Sequence, residues 1–179
     1  MKTLKTIILI LLILIAIPFI IALFIDKDYS VEREVVINQP KLEVFDYVKC
    51  LKNQEEYSKW AMMDPQMTRT FTGEDASVGF ISAWESDVKE VGAGEQEIID
   101  IKDGERIDYE LRFFKPFEST EKAYMTTEAV NDNQTKVVWG FNGHMDYPSN
   151  LMLLFMDFEK MLGDDLQEGL NNLKDKLEE

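Results

Sequence analysis

The sequence predicts an α+β domain, in which a curved antiparallel sheet of about seven strands wraps on a long C-terminal helix. Two short helices follow the first strand, and one transmembrane helix precedes the whole. Three observations carry this reading. From Ile7 through Ile25 the chain holds only Ile, Leu, Ala, Phe and a single proline, Pro18. After Pro65 the apolar period shortens from 3.6 residues to 2, with turn residues at short intervals. Finally, Leu151, Leu154, Phe155, Phe158, Met161, Leu162, Leu166, Leu170, Leu173 and Leu177 recur mostly at three- and four-residue steps.

The apolar run comes first. As a helix, residues 7–25 extend roughly 28 Å, close to the hydrocarbon thickness of a bilayer. Helix is the state in which a lone span satisfies its own backbone there, and Pro18 is tolerated as a kink. Lys2 and Lys5 precede the run and Asp26-Lys27-Asp28 follows it. Positive-inside logic then places residues 1–6 in the cytoplasm and the C-terminal body outside, on the periplasmic side in a Gram-negative cell. A cleaved signal peptide is the rival, but its apolar region is shorter and ends at a small-x-small site. The exit here reads Ile21-Ala22-Leu23-Phe24-Ile25, so an uncleaved signal anchor is expected. The only cysteine is Cys50, which removes both a lipoprotein attachment site and an intrachain disulfide.

Residues 26–179 hold all 34 acidic residues and 17 of the 19 basic ones, leaving a formal charge of −17. Nucleic acid and anionic lipid headgroups are thereby disfavoured as partners. Without disulfides the body must stand on its core, for which Trp60, Trp84 and Trp139 provide large apolar surfaces.

The elements then follow in order. Residues 31–37 alternate as a first strand. Asn38-Gln39-Pro40 stops it, with Asn38 or Gln39 expected near a helix cap and Pro40 in the first turn. Val44, Phe45, Val48 and Leu51 recur at helical spacing. A second short helix is expected over 54–60. Strands are expected over 68–73, 79–85, 95–101, 106–114, 121–130 and 136–145, with tight turns at Asp103-Gly104 and Asn131-Asp132-Asn133. Val137, Trp139, Phe141 and Met145 share one face, as do Ile107, Tyr109, Leu111 and Phe113. Arg106, Asp108, Glu110 and Arg112 oppose the latter set, as in a sheet with one solvated face. After Tyr147-Pro148-Ser149-Asn150 a closing helix of about 27 residues is expected, roughly 40 Å long.

This order matches the helix-grip fold, and local residues agree. Ile37-Asn38-Gln39-Pro40-Lys41-Leu42-Glu43-Val44-Phe45 resembles the strand-to-helix signature of the SRPBCC superfamily, which includes START domains, Bet v 1-like proteins and the polyketide cyclase/dehydrase group. Trp60, the Gly94-Glu95-Gln96-Glu97-Ile98 stretch and the closing amphipathic helix fit the same pattern, so the resemblance covers about residues 29–179. It implies an apolar cavity between sheet and helix. Trp84, Tyr109, Phe113, Met125, Trp139, Phe141, Phe155, Phe158, Met161 and Leu162 are then candidates to line it, although such stripes more often fill a solid core.

Catalytic constellations are scarce. Ser149, His144 and Asp146 lie near one another in sequence, which says nothing about triad geometry. One histidine and one cysteine do not furnish a protein-only zinc site. Gly92-Ala93-Gly94 lacks the setting of a dinucleotide loop, so no cofactor is expected. The acidic pairs Glu95/Glu97, Asp164/Asp165 and Glu118/Glu121 read as solvated faces, unless one acid is buried and its pKa rises enough for acid–base work. Asn133-Gln134-Thr135 fits a glycosylation sequon but reads as a turn. Three functions are therefore weighed. The first is a membrane-anchored binder of a lipid or other apolar small molecule; the second is a cyclase or dehydratase in the same cavity; the third is a non-enzymatic envelope protein that contacts partners through its surface.

Overall fold

In the computed structural model, residues 2–179 are described, the Lys2 side chain excepted. Helix α1 covers Lys2–Ala22 with Pro18 inside it. Its stretch Thr3–Ala22 is long and apolar enough to cross a membrane, and none of its most apolar window is buried. The helix ends three residues before the apolar run does. Asn150, wholly buried, donates from Nδ2 to the carbonyls of Ala22 (2.7 Å) and Ile25 (3.0 Å). Carbonyls at a helix C-terminus lack intrahelical donors, and this amide supplies them.

Strand β1 spans Asp28–Ile37 and is followed by α2, Lys41–Lys49. Pro40 itself takes the cap position with no side-chain cap bond, so neither Asn38 nor Gln39 caps α2. Both are used at the far end of the chain. The Asn38 backbone N–H donates to the Glu178 carboxylate at 2.7 Å, and Gln39 Nε2 donates to the Leu177 carbonyl at 2.7 Å. The second helix is two pieces, α3 (Gln54–Tyr57) and α4 (Lys59–Met63), because Ser58 between them is extended. The interruption leaves the Tyr57 carbonyl free to accept from Asn172 Nδ2 at 3.2 Å.

Six strands follow: β2 Thr68–Thr72, β3 Ile81–Glu85, β4 Ala93–Lys102, β5 Arg106–Lys115, β6 Ser119–Asn131 and β7 Gln134–His144. One antiparallel sheet results, in the order β1-β7-β6-β5-β4-β3-β2. The short connections keep β2 to β7 adjacent in sequence order, and β1 closes onto β7 from the other side. The final helix, α5, runs Phe158–Glu178, shorter than the expected 27 residues. Asp157 caps it by accepting from the Lys160 N–H at 2.9 Å. The residues before it form a separate 3-10 turn, Ser149–Leu154, which packs on α1. Leu151, Leu154 and Phe155 therefore do not continue the α5 stripe.

Helix α5 lies along β1 and reaches β7, with α3 and α4 beside it. Two glycines allow this approach. A Cβ on Gly169 would sit 2.9 Å from the Trp139 ring, and one on Gly163 would collide with the Arg33 guanidinium. Between sheet and helices Ile98, Ile107, Tyr109, Met125, Leu170 and Leu173 are fully buried.

Candidate functional site

Strand register defines two ends of the sheet. Asp28 pairs with His144, Phe113 with Ser119, Ala93 with Lys115, and Glu85 with both Ala93 and Thr68. All of these lie at the end where α1 joins β1, here termed the anchor end. The inner face changes character along the strands. Away from the anchor end it is closed: Tyr57, Tyr109, Met125 and Trp139 are buried, and Trp139 meets Tyr57 and Trp60 edge-on at 5.8 and 6.3 Å. Toward the anchor end Leu111, Phe113, Phe141 and Trp84 stay half-buried. They lie between α4, which is tied over β2 by Arg69 donating to the Ala61 carbonyl (3.1 Å), and α5 over β1. This partly open stretch is the candidate mouth.

Aromatic rings form both its sides. Trp84 lies against Gly94, where a Cβ would sit 2.8 Å from the indole, and meets Phe113 edge-on at 6.0 Å. Its Nε1 donates to the Val91 carbonyl at 3.2 Å, so the indole is fixed. Opposite, Tyr29 packs on Phe158 of α5 at 5.2 Å and on Phe141 at 6.2 Å. Leu162 packs half-buried against the core. Phe155 and Met161 stand exposed, Phe155 by 80 %.

Two buried polar side chains, Gln96 and Glu121, flank Leu111 on this face. Glu121 shares the inner-face parity of Ala123 and Met125 and is only 7 % exposed. Oε2 accepts the His144 backbone N–H at 2.9 Å. Burial pushes its carboxyl above the usual range, although the His144 and Ser119 hydrogen bonds oppose that shift. Tyr29 belongs to the same feature. Its ring and hydroxyl occupy the space a Gly143 Cβ would need, and Gly143 stands between Tyr29 and Glu121 across the three strands. Burial, with the Glu121 charge second, pushes the Tyr29 phenol up to about 12. Tyr29 thus remains protonated at neutral pH, near a carboxyl whose charged form burial disfavours. As half of the pair Glu118/Glu121 it resembles a solvated acid; its parity with Ala123, Met125 and Thr127 along β6 is the signal that separates it from Glu118.

The remaining sequence candidates are placed elsewhere. Glu95 and Glu97 hold Arg112 at 2.6 and 2.8 Å, on the strand face opposite Gly94 and Gln96. Asp165 pairs with Lys59 at 2.8 Å and Asp164 with Lys160 at 2.6 Å. His144 is held by Asp28 at 2.6 Å and lies 3.5 Å from Asp146, and it makes no hydrogen bond to Ser149. Among the described residues no group of three or more His, Cys, Asp or Glu is placed to hold a metal ion. An open concavity of about 420 Å³ spans β1, β7 and β6, lined by Asp28, Tyr29, Ser30, Thr120, Glu121, Lys122, Asn142, Gly143 and His144, so that Tyr29 and Glu121 border it as well as the mouth. Ser30, Lys122 and Asn142 lie on the strand face opposite Tyr29 and Phe141.

A seven-stranded antiparallel sheet gripping a C-terminal helix, with two short helices after the first strand, is the helix-grip arrangement of the SRPBCC superfamily of ligand-binding proteins. Residues 28–178 match the family described as polyketide cyclase/dehydrase and lipid transport, and the chain belongs to it. Solved structures agree on the fold. A protein from Nitrosospira multiformis superposes with a TM-score of 0.61 at 15% identity, covering 83% of this chain and 96% of that one. A protein from Chromobacterium violaceum gives 0.59 at 15% identity, covering 84% and 98%. The Aha1 dimer from Colwellia psychrerythraea gives 0.57 at 14% identity, covering 84% and 96%. Comparison with curated proteins finds no match.

Proposed function

We propose that the chain is a membrane-anchored binding protein that takes an apolar or lipid-like small molecule into the mouth at the anchor end. The observation that supports this most is the graded inner face, closed at Tyr109 and Trp139 yet half-open two residues further along the same strands. Burying the exposed parts of such rings against a ligand contributes about 25 cal/mol per Å² of apolar surface. Trp84 and Phe113 on one side, with Phe141 and Phe158 on the other, would hold the apolar body. Glu121 and Tyr29 would receive one polar group of the ligand by hydrogen bonding. Helix α1 serves as a single-pass anchor in this reading, with residues 1–6 cytoplasmic and the domain outside.

Delipidated full-length protein should take up a fluorescent fatty acid at one molecule per chain, and native mass spectrometry of protein extracted from its own membrane should show a co-purified apolar molecule. Failure of both would refute a binding function.

A second reading draws on the Glu121–Tyr29 arrangement. A carboxyl with a raised pKa beside a protonated phenol suits general acid–base chemistry of the cyclase or dehydratase kind. In that case Glu121→Gln abolishes turnover of a bound polyketide-like substrate while its binding survives. Under simple binding, no turnover is seen in either form.

A further inference from the structure

We propose that the turn Ser149–Leu154 and the residues just after it seat in the headgroup–acyl boundary of the bilayer that α1 enters, which turns the mouth toward the lipid surface. This rests on reading α1 as a membrane span.

The geometry starts from α1. Its 20-residue stretch Thr3–Ala22 extends about 30 Å at 1.5 Å per residue, which matches the roughly 30 Å hydrocarbon core. Ala22 therefore lies at the edge of that core. It is also the residue on which the turn packs: Ala22 is buried, and Asn150 of the turn binds its carbonyl and that of Ile25. The turn is thus held at the depth where the helix leaves the hydrocarbon, by two hydrogen bonds from one buried amide rather than by a flexible linker.

The side chains placed at that depth suit it. Phe24 is 85 % exposed, Leu154 58 % and Phe155 80 %, while Met152 is also exposed. At the same end of the sheet Phe117, at the tip of the β5–β6 connection, is 82 % exposed. In water each of these side chains forgoes the stabilisation that burial of its apolar surface would return, and exposed apolar side chains gathered at one end of a molecule mark an interaction site. Apolar side chains on an amphipathic element at a bilayer surface recover it by entering the interface. The acidic body favours a zwitterionic surface, since anionic headgroups would repel it.

The test uses the full chain with Cys50 replaced by Ser, reconstituted in phosphatidylcholine vesicles that carry doxyl-labelled lipid. An environment-sensitive fluorophore is placed in turn on Phe155→Cys, Leu154→Cys, Asp132→Cys at the distal hairpin tip, and Ile13→Cys in α1. The proposal expects the labels at 154, 155 and 13 to lose most of their emission to the lipid quencher, and the label at 132 to lose none. Quenching at 13 without quenching at 154 and 155 overturns the proposal while leaving the membrane span intact. A blue-shifted but unquenched label at 155 overturns it in favour of a protein partner, such as a second copy. An unquenched label at 13 overturns the span and the proposal together.

Discussion

Two stretches of one sheet face behave differently in this protein. Tyr109 and Met125, in the middle of β5 and β6, are sealed, with α2 packed on β6 and Tyr57 of α3 against Met125, whereas Phe113 and Leu111, further along β5, remain half-open. The residues are equally apolar; the difference is what lies above them. Over the closed half, the interruption at Ser58 and the small Gly169 bring α3 and α5 close enough to bury Tyr57 and Trp139 against each other. Over the anchor end, α5 has only begun and the turn before it is directed to α1. One half is sealed core and the other keeps apolar surface exposed.

The sharpest way to break this contrast is truncation on each side. Trp139→Ala should cost about 3–5 kcal/mol of unfolding free energy, while Phe113→Ala, at the half-open stretch, should cost about 1–2 kcal/mol, both read from urea unfolding of the full chain in detergent. Similar losses at the two sites would remove the distinction. Gly169→Ala probes the close approach itself. Alanine improves helix propensity by about 1 kcal/mol, but its methyl meets the Trp139 ring at 2.9 Å, so overpacking should prevail and leave a net loss of about 1–2 kcal/mol.

Asn150→Ala removes both hydrogen bonds to the end of α1 and should cost about 1–2 kcal/mol. Amide exchange should rise around residues 22–26 and leave the β5–β6 amides unchanged. Glu121 gives the smallest effect. With its folded pKa raised, the folded state holds that proton more tightly than the unfolded chain does. Its contribution is therefore fully present in acid, below the ordinary carboxylate value, and is lost as pH rises through the raised one. Glu121→Gln should then raise the melting temperature relative to wild type at neutral pH, and that advantage should shrink as the pH approaches 4.5. An advantage that grows in acid would contradict a carboxyl strained by burial.

Much of this was legible in residues alone. Period-2 alternation placed Ile107, Tyr109, Leu111 and Phe113 on one face, and the tight turn at Gly104 has the positive φ its sequence suggests. What escaped were long-range decisions. The stripe from Leu151 to Leu177 looks like one helix, because spacing does not register that Asn150 is drawn to α1 and that Asp157 restarts the helix. Likewise the aromatic candidates could not be sorted by type. Tyr109, Met125 and Trp139 are buried, Trp84, Phe113, Phe141, Phe158 and Leu162 are half-buried, and Phe155 is exposed; only the position of the covering helices separates them.

The central claim is that the anchor-end mouth, not the sealed half, receives an apolar ligand. Titration of the delipidated full chain with a fluorescent fatty acid, in wild type and in Phe113→Ala, tests it most directly. Removing the ring should weaken binding about tenfold, the equivalent of about 1.4 kcal/mol of lost apolar contact, while cooperative unfolding of the unliganded protein persists. Equal affinity in the two proteins would contradict the account.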